Sequence, residues 1–230
     1  MITSNRIVKL DIARTFAILC VVLCHCSEMI YTQQSVKVAE LGISSRIFMF
    51  GTFTIGRLGV PIFLYLSGIL LLKKTIDSDE DIFKFYKNNL FPLFVVNEIW
   101  VILYKLYGVF VLNEKFIFGD LIRELLLLKN STMVNMWYMP MIIGLYIGIP
   151  LLAKIVKSFS FKVICPIMLA IFIFEYIEPM LNVFVRIFNF KETFYSDMNI
   201  PYMGAAYGLY LLIGYYIYNN KLRIKKELLI

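Results

Sequence analysis

The chain has 230 residues, 60 % of them hydrophobic and only 17 % charged. A soluble domain carries about 45–50 % apolar and about 25 % charged residues, so an ordinary cytosolic domain, a disordered chain and a nucleic-acid binder with a solvated basic face are excluded. The net charge of +7 does not point to nucleic acid, because the basic residues fall between long apolar runs, where they mark cytoplasmic loops. One histidine and four cysteines are too few for a zinc framework or a disulfide scaffold.

A membrane-spanning helix needs about 20 mostly apolar residues. Six such stretches follow one another: Ile7–Tyr31, Phe53–Leu72, Leu90–Leu112, Met136–Ala153, Val163–Ile177 and Pro201–Asn219. Their apolar runs are continuous, with no period of two, so helices and not barrel strands are expected. Phe116–Leu128 is apolar but short and carries Asp120, Arg123 and Glu124, which fits a helix lying in the membrane interface. The charged run Asp77–Asp81 reads as a solvated loop. No internal repeat, low-complexity stretch or long linker stands out, so residues 1–230 read as one integral membrane domain. The first apolar run is interrupted by Asp11, Arg14 and His25 and is followed by no clear small-residue cleavage site, which argues against a cleaved signal peptide.

The loops on the side of both termini hold Arg6, Lys9, Lys73, Lys74, Lys84, Lys87, Lys154, Lys157, Lys162, Lys221, Arg223, Lys225 and Lys226. The opposite side holds only Lys37, Arg46, Lys115, Arg123, Lys129, Arg186 and Lys191. The richer side is expected to be cytoplasmic. Trp137 and Tyr138 then start the fourth span at the outer interface, where amphipathic rings prefer to sit.

Ionisable groups inside a bilayer cost at least about 2.5–3.5 kcal/mol each on the insertion scale and normally line a cavity or pair. Arg14, His25, Arg57 and Lys105 fall within the spans. Arg14 and His25 are eleven residues apart, almost three whole helical turns, so they share a face and are separated by about 16 Å of rise. Asp11, three residues before Arg14, shares that face. If the first two spans are antiparallel neighbours, Arg14 and Ser67 share an inner level and His25 and Arg57 an outer one. That is the layout of a conduit with anion binding near one end and chemistry near the other.

Blander roles exist for each group. A buried histidine can make a structural hydrogen bond. Arg14 can pair with Asp11 or reach the inner headgroups. Ser67-Gly68 can be small-residue helix packing. Glu98 and Lys105 can form an intramembrane couple along one face of the third span. Glu175 and Glu178 read as the polar outer end of the fifth span, before Pro179. Cys20, Cys24 and Cys26 lack the ligand spacing of a zinc site and read as small apolar filling.

The stretch from Leu10-Asp11 through Arg14 to His25 resembles the first span of the acyltransferase 3 family of integral membrane acyltransferases, with its LD-x-x-R start and R-x₁₀-H motif. Gly59-Val60-Pro61-Ile62-Phe63-Leu64-Tyr65-Leu66-Ser67-Gly68 resembles the family's G-V-x-x-F-F-x-x-S-G segment. Trp137-Tyr138-Met139-Pro140 through Tyr146 and Pro150 is similar to its W-[FY]-L…LY…P span. Three motifs in order over Asp11 to Pro150 make the resemblance specific.

The resemblance implies transfer of an acyl group, typically acetyl from acetyl-CoA, to a hydroxyl of a cell-surface or lipid-linked glycan. His25 would be the general base or the acyl-accepting group, its partner Arg14 would serve the donor side, and Asp11 would complete the catalytic set. Ser67, Tyr65 and Trp137 would face the substrates. Arg57 could steady the oxyanion of a tetrahedral intermediate. A neutral imidazole suits the work because its unperturbed pKa of about 6.5 lies near working pH. The family's basic motif before the third span, thought to hold acyl-CoA, corresponds here to Lys84 and Lys87. A lysine binds phosphate as a point charge without arginine's bidentate fork. The family's membrane domain has about ten spans, so this chain reads as C-terminally truncated, a fragment or a short variant.

The expectation is therefore an all-α, multi-pass helical bundle of about six spans with both termini cytoplasmic, in a cell membrane and most simply the bacterial cytoplasmic membrane. Acyl-CoA is the donor substrate, with no tightly bound cofactor and no metal. The partners are the bilayer and a glycan acceptor, not nucleic acid, with a homo-oligomer or partner subunit left open. Two rival readings remain: a catalytically incomplete component of a surface-polysaccharide system, and a small-solute transporter, which also buries Arg, His and Glu in a conduit.

Overall fold

In the computed structural model, residues 8–28, 41–129, 134–188 and 205–219 are described. They contain helices and turns and, among the described residues, no strand. In chain order the helices are α1 (Val8–Glu28), α2 (Ile43–Gly56), α3 (Gly59–Leu71), α4 (Asp79–Phe85), α5 (Phe91–Phe110), α6 (Phe118–Leu125), α7 (Tyr138–Ser158), α8 (Phe161–Phe172), α9 (Glu178–Ile187) and α10 (Ala205–Tyr218). Five helical stretches are long and apolar enough to cross a membrane: Val8–Glu28, Ile43–Leu71, Asp79–Phe110, Tyr138–Ser158 and Phe161–Val185. They correspond to the first five expected spans. The sixth, Pro201–Asn219, starts at residues outside the described ones, and its described part is the 14-residue α10.

Three of these stretches carry a register defect, and a proline follows each. Between α2 and α3 the chain turns at Arg57 and Leu58, with the Leu58 N–H donating to Ile55 at 3.1 Å. Pro61 has no N–H to give the Arg57 carbonyl, so the α-helical ladder cannot close there. Before α5 a π-turn spans Tyr86–Leu90, two residues short of Pro92. Before α9 a second π-turn spans Ile173–Ile177, two residues short of Pro179. A ring that clashes with the carbonyl four residues back is relieved by widening the preceding turn.

These prolines correct several expected boundaries. The second stretch begins at Ile43 rather than Phe53, and Arg46 lies on α2 rather than in a loop. The third begins at Asp79, so Lys84 and Lys87 stand on helical backbone. Asp77–Asp81 is a helix start and not a plain loop: the Ser78 hydroxyl accepts from the Asp81 N–H at 3.2 Å, and the Asp81 carboxylate accepts from the Ser78 N–H at 3.2 Å. This reciprocal pair satisfies N–H groups that the helix itself leaves open. Glu175 and Glu178 do not end the fifth span; the helix runs on past Pro179 to Ile187.

The chain divides into two compact units, one built from α1–α3 and α8–α10, the other from α4–α7. In the first, α1 packs on α2 and α3, and α3 also packs on α10. Glycines set these contacts. A methyl group on Gly56 would lie 2.7 Å from the Cys24 backbone, and one on Gly59 would lie 2.8 Å from the Ala17 carbonyl. A methyl group on Gly68 would overlap the Leu211 carbonyl, and one on Gly214 would overlap that of Tyr65. Lipid offers no hydrophobic drive between spanning helices, so backbone approach at small residues supplies dispersion contact instead. Leu64, Leu211 and Leu212 fill this core and are fully buried.

In the second unit α6 is tied to α5 by an ion pair: Lys105 Nζ lies 2.8 Å from Glu124 Oε1, and Glu124 is only 2 % exposed. The expected Glu98–Lys105 couple is not formed; Glu98 accepts instead from the Asn97 side chain at 3.0 Å. About 10 Å of rise separates residues seven apart on a helix, and Glu124 stands closer. At the other end of α5, the Lys74 ammonium donates to Asn89 at 2.9 Å in the π-turn, and burial pushes that amine below its ordinary value. The Tyr86 hydroxyl donates to the Ile147 carbonyl at 2.9 Å, joining the π-turn to α7. Outside the spans, Asp120 is held below the usual carboxylate range by its hydrogen bond from Lys129, 2.7 Å away.

Candidate functional site

The site lies in the first unit and is built on α1. Buried Ala17, Cys20, Cys24 and Ser27 recur at helical spacing and mark the face that packs inward. Arg14 and His25, about 20° apart around the helix at 100° per residue, lie together to one side of that face. The close approaches of Gly59 to Ala17 and Val21, and of Gly56 to Cys24, fix an antiparallel register between the first two spans. In that register Ser67 is level with the Asp11–Arg14 end and Arg57 with the His25 end. The assumed adjacency of the two spans is thus present in the fold.

Two polar groupings result. At one end Arg14 Nη1 donates to Asp11 Oδ1 at 2.9 Å, with the Arg14 side chain 45 % exposed. Asp11 stands in the first turn of α1, where a carboxylate complements the helix dipole. At the other end Glu28 joins two helices. Its Oε2 lies 3.3 Å from His25 Nδ1, and its Oε1 accepts from Arg57 Nη2 at 3.2 Å. Arg57 comes from the turn between α2 and α3, and its guanidinium also covers the Phe53 ring, 4.7 Å from the centroid.

Glu28 is the functional candidate that sequence reasoning missed. It sits at the C-terminal end of α1, where the helix dipole disfavours an anion; Arg57 and the imidazole offset that cost. Its signal was its position three residues after the only histidine, on the same helical face.

The remaining expected residues are placed as follows. Ser67 is half-buried on α3. Tyr65 turns to α10, its ring edge-on to Tyr210 at 5.4 Å between centroids, and the α10-facing glycine Gly68 lies nine residues, or half a rotation, from Gly59 on the α1-facing side. The structure therefore does not bring Tyr65 to His25. Tyr210 in turn meets Tyr176 at 5.8 Å. Lys84 and Lys87 belong to the second unit and are exposed, one at the end of α4 and one in the π-turn. Trp137, also in that unit, is 42 % exposed and edge-on to Tyr138. Among the described residues no group of three His, Cys, Asp or Glu could hold a metal ion.

A carboxylate shared between an imidazole and a guanidinium, on helices held by glycine contacts, can orient a base and keep a hydrogen-bond donor beside it. This is equipment for proton transfer with stabilisation of developing negative charge. A family model described as an acyltransferase domain, that of the acyltransferase 3 family, matches residues 7–230. No curated protein and no solved structure matches the chain.

Proposed function

The chain belongs to the acyltransferase 3 family of membrane acyltransferases, and on that footing we propose that it moves an acyl group, acetyl first among candidates, from acyl-CoA to a hydroxyl of a cell-surface or lipid-linked glycan. The observation that carries this reading is the meeting of His25 on α1 and Arg57, from the turn between α2 and α3, on one carboxylate.

In the proposed reaction the imidazole of His25 takes the proton of the acceptor hydroxyl as its oxygen attacks the thioester carbonyl. The carbon–oxygen bond forms and the carbonyl electrons move to its oxygen. Arg57 stands beside the base with N–H groups beyond the one given to Glu28, and donates to that oxyanion. As the intermediate collapses, the carbon–sulfur bond breaks and the CoA sulfur takes the proton from the imidazolium. The ester and free CoA leave.

Arg14, held by Asp11 one turn away, is assigned to the phosphates of the donor, because it lies at the end of α1 that the charge distribution puts in the cytoplasm. Ser67, level with Arg14, is assigned to the same phosphate-bearing part of the donor. The location proposed is the bacterial cytoplasmic membrane with both termini inside.

The test is reconstitution of the full chain in vesicles with radiolabelled acetyl-CoA and lipid-linked or surface glycan from the host. The proposal expects alkali-labile label on the glycan and matching release of CoA thiol. Thiol release no faster than in empty vesicles, with no label on the glycan, would overturn it.

A further inference from the structure

We infer that Glu28 is the positioning residue of the site: it sets which ring nitrogen of His25 carries the proton and ties the ring to Arg57. This deepens the acyl-transfer reading and rests on it for the reaction served.

A neutral imidazole has one donor nitrogen and one acceptor nitrogen, and the hydrogen bond made by one decides the state of the other. The carboxylate of Glu28 is acceptor-only when ionised. Its Oε2 faces His25 Nδ1 at 3.3 Å, so the compatible tautomer has the proton on Nδ1. The lone pair is then on Nε2, the nitrogen free to take a proton from a hydroxyl. With the proton on Nε2 instead, Nδ1 would set its lone pair against a carboxylate oxygen and the base would be lost.

Glu28 can do this because its own place is over-determined. It is three residues after His25 on a rigid helix, and its second oxygen is anchored by Arg57 across the α1–α3 contact. Gly56 and Gly59 hold the helices near enough for that reach: any larger residue would meet the α1 backbone. The carboxylate thereby couples the base to the oxyanion donor, so that neither moves without the other.

The sequence contains a single histidine, so nitrogen-15 histidine labelling of the full chain in nanodiscs gives one imidazole to read. The wild type is expected to show a protonated Nδ1 and an unprotonated Nε2. In Glu28→Ala the Nε2-protonated form becomes the major one, and turnover falls about 10- to 100-fold with KM for acyl-CoA little changed, less than the about 100- to 10,000-fold that the base itself supplies. Glu28→Gln offers one acceptor oxygen where Glu28 offers two; with that oxygen on Arg57, which only donates, its amide NH2 faces Nδ1, so the Nε2-protonated form is expected to rise and turnover to fall here too. A wild type protonated on Nε2, or a tautomer unmoved in Glu28→Ala, overturns the role of Glu28 even when His25-dependent transfer is found. The expected tautomer with no acyl transfer leaves that role standing and removes the transfer reading instead.

Discussion

Glu28 and Arg57 are 29 residues apart in sequence and 3.2 Å apart in space, and this pair is the polar clasp between the first two spans. Arg57 is 60 % exposed on its side chain, so its removal opens no buried cavity, and Glu28 keeps its contact with His25. Removal of one oxyanion donor costs about 100- to 1,000-fold in turnover where such a donor is in use. Arg57→Ala is therefore expected to unfold at nearly the wild-type temperature while losing at least about 100-fold of acyl transfer. Thermal unfolding and turnover on one preparation check this; a small loss in both would leave Arg57 as a clasp and nothing more.

The Lys105–Glu124 pair makes a different prediction, because Glu124 is buried. Breaking a buried pair by removing one partner costs about 3–5 kcal/mol, whereas replacing both with apolar groups of similar size is often neutral. Glu124→Leu should destabilise the protein strongly, and Lys105→Met with Glu124→Leu should restore most of the loss. Denaturant unfolding of the three proteins reads the coupling. Equal stability of single and double variants would show that the pair does not hold α6 to α5.

Gly68 is expected to be among the least replaceable positions in the chain. Any side chain there meets the Leu211 backbone, which cannot move aside as a flexible side-chain tip could. Gly68→Val should separate α3 from α10 and lower the yield of folded protein, while Gly144→Val, with open space around its added Cβ, should leave folding nearly unchanged. Size-exclusion profiles in detergent distinguish the two variants, and a normal profile for Gly68→Val would contradict the contact.

Asp120 gives a prediction in pH. Its folded carboxyl is depressed below the ordinary value of about 3.9, first by the hydrogen bond from Lys129. A depressed folded pKa means that the unfolded chain binds the proton more readily. The contribution is thus complete above the unfolded value and lost as pH falls through the folded one. Unfolding of the wild type and Asp120→Asn should differ near neutrality and converge in acid. A gap that widens as pH falls would reverse the sign and refute the assignment.

Much of the fold is legible in the sequence because lipid makes such narrow demands. Arg14 and His25 could be placed on one face by counting turns, and the levels of Ser67 and Arg57 followed from span direction alone. Prolines were harder to read. Pro92 and Pro179 signal helix ends when only hydrogen bonds are counted, yet each stands two residues past a π-turn inside a longer helix. A wider turn accommodates the ring at less cost than ending the helix in lipid, where a free carbonyl has no water to bond. The partner of Lys105 was missed for another reason: Glu124 is near only after α6 folds back on α5. Glu28 was overlooked because it stands at the boundary of an apolar run, where a charge calls for no explanation until the helix beside it is known. Tyr65 shows the converse. Its motif is plain in the sequence, but which neighbour it faces depends on the glycines opposite, and they turn it toward α10.

The most direct measurement of the central claim is glycan acylation by a host whose only copy of this chain carries His25→Ala. Ester-linked acyl groups on the surface glycan are counted by proton NMR, alongside a wild-type control and a check that the variant reaches the membrane in equal amount. The account predicts that the ester signal supplied by the wild type is lost. An ester signal equal to the wild type's would contradict it.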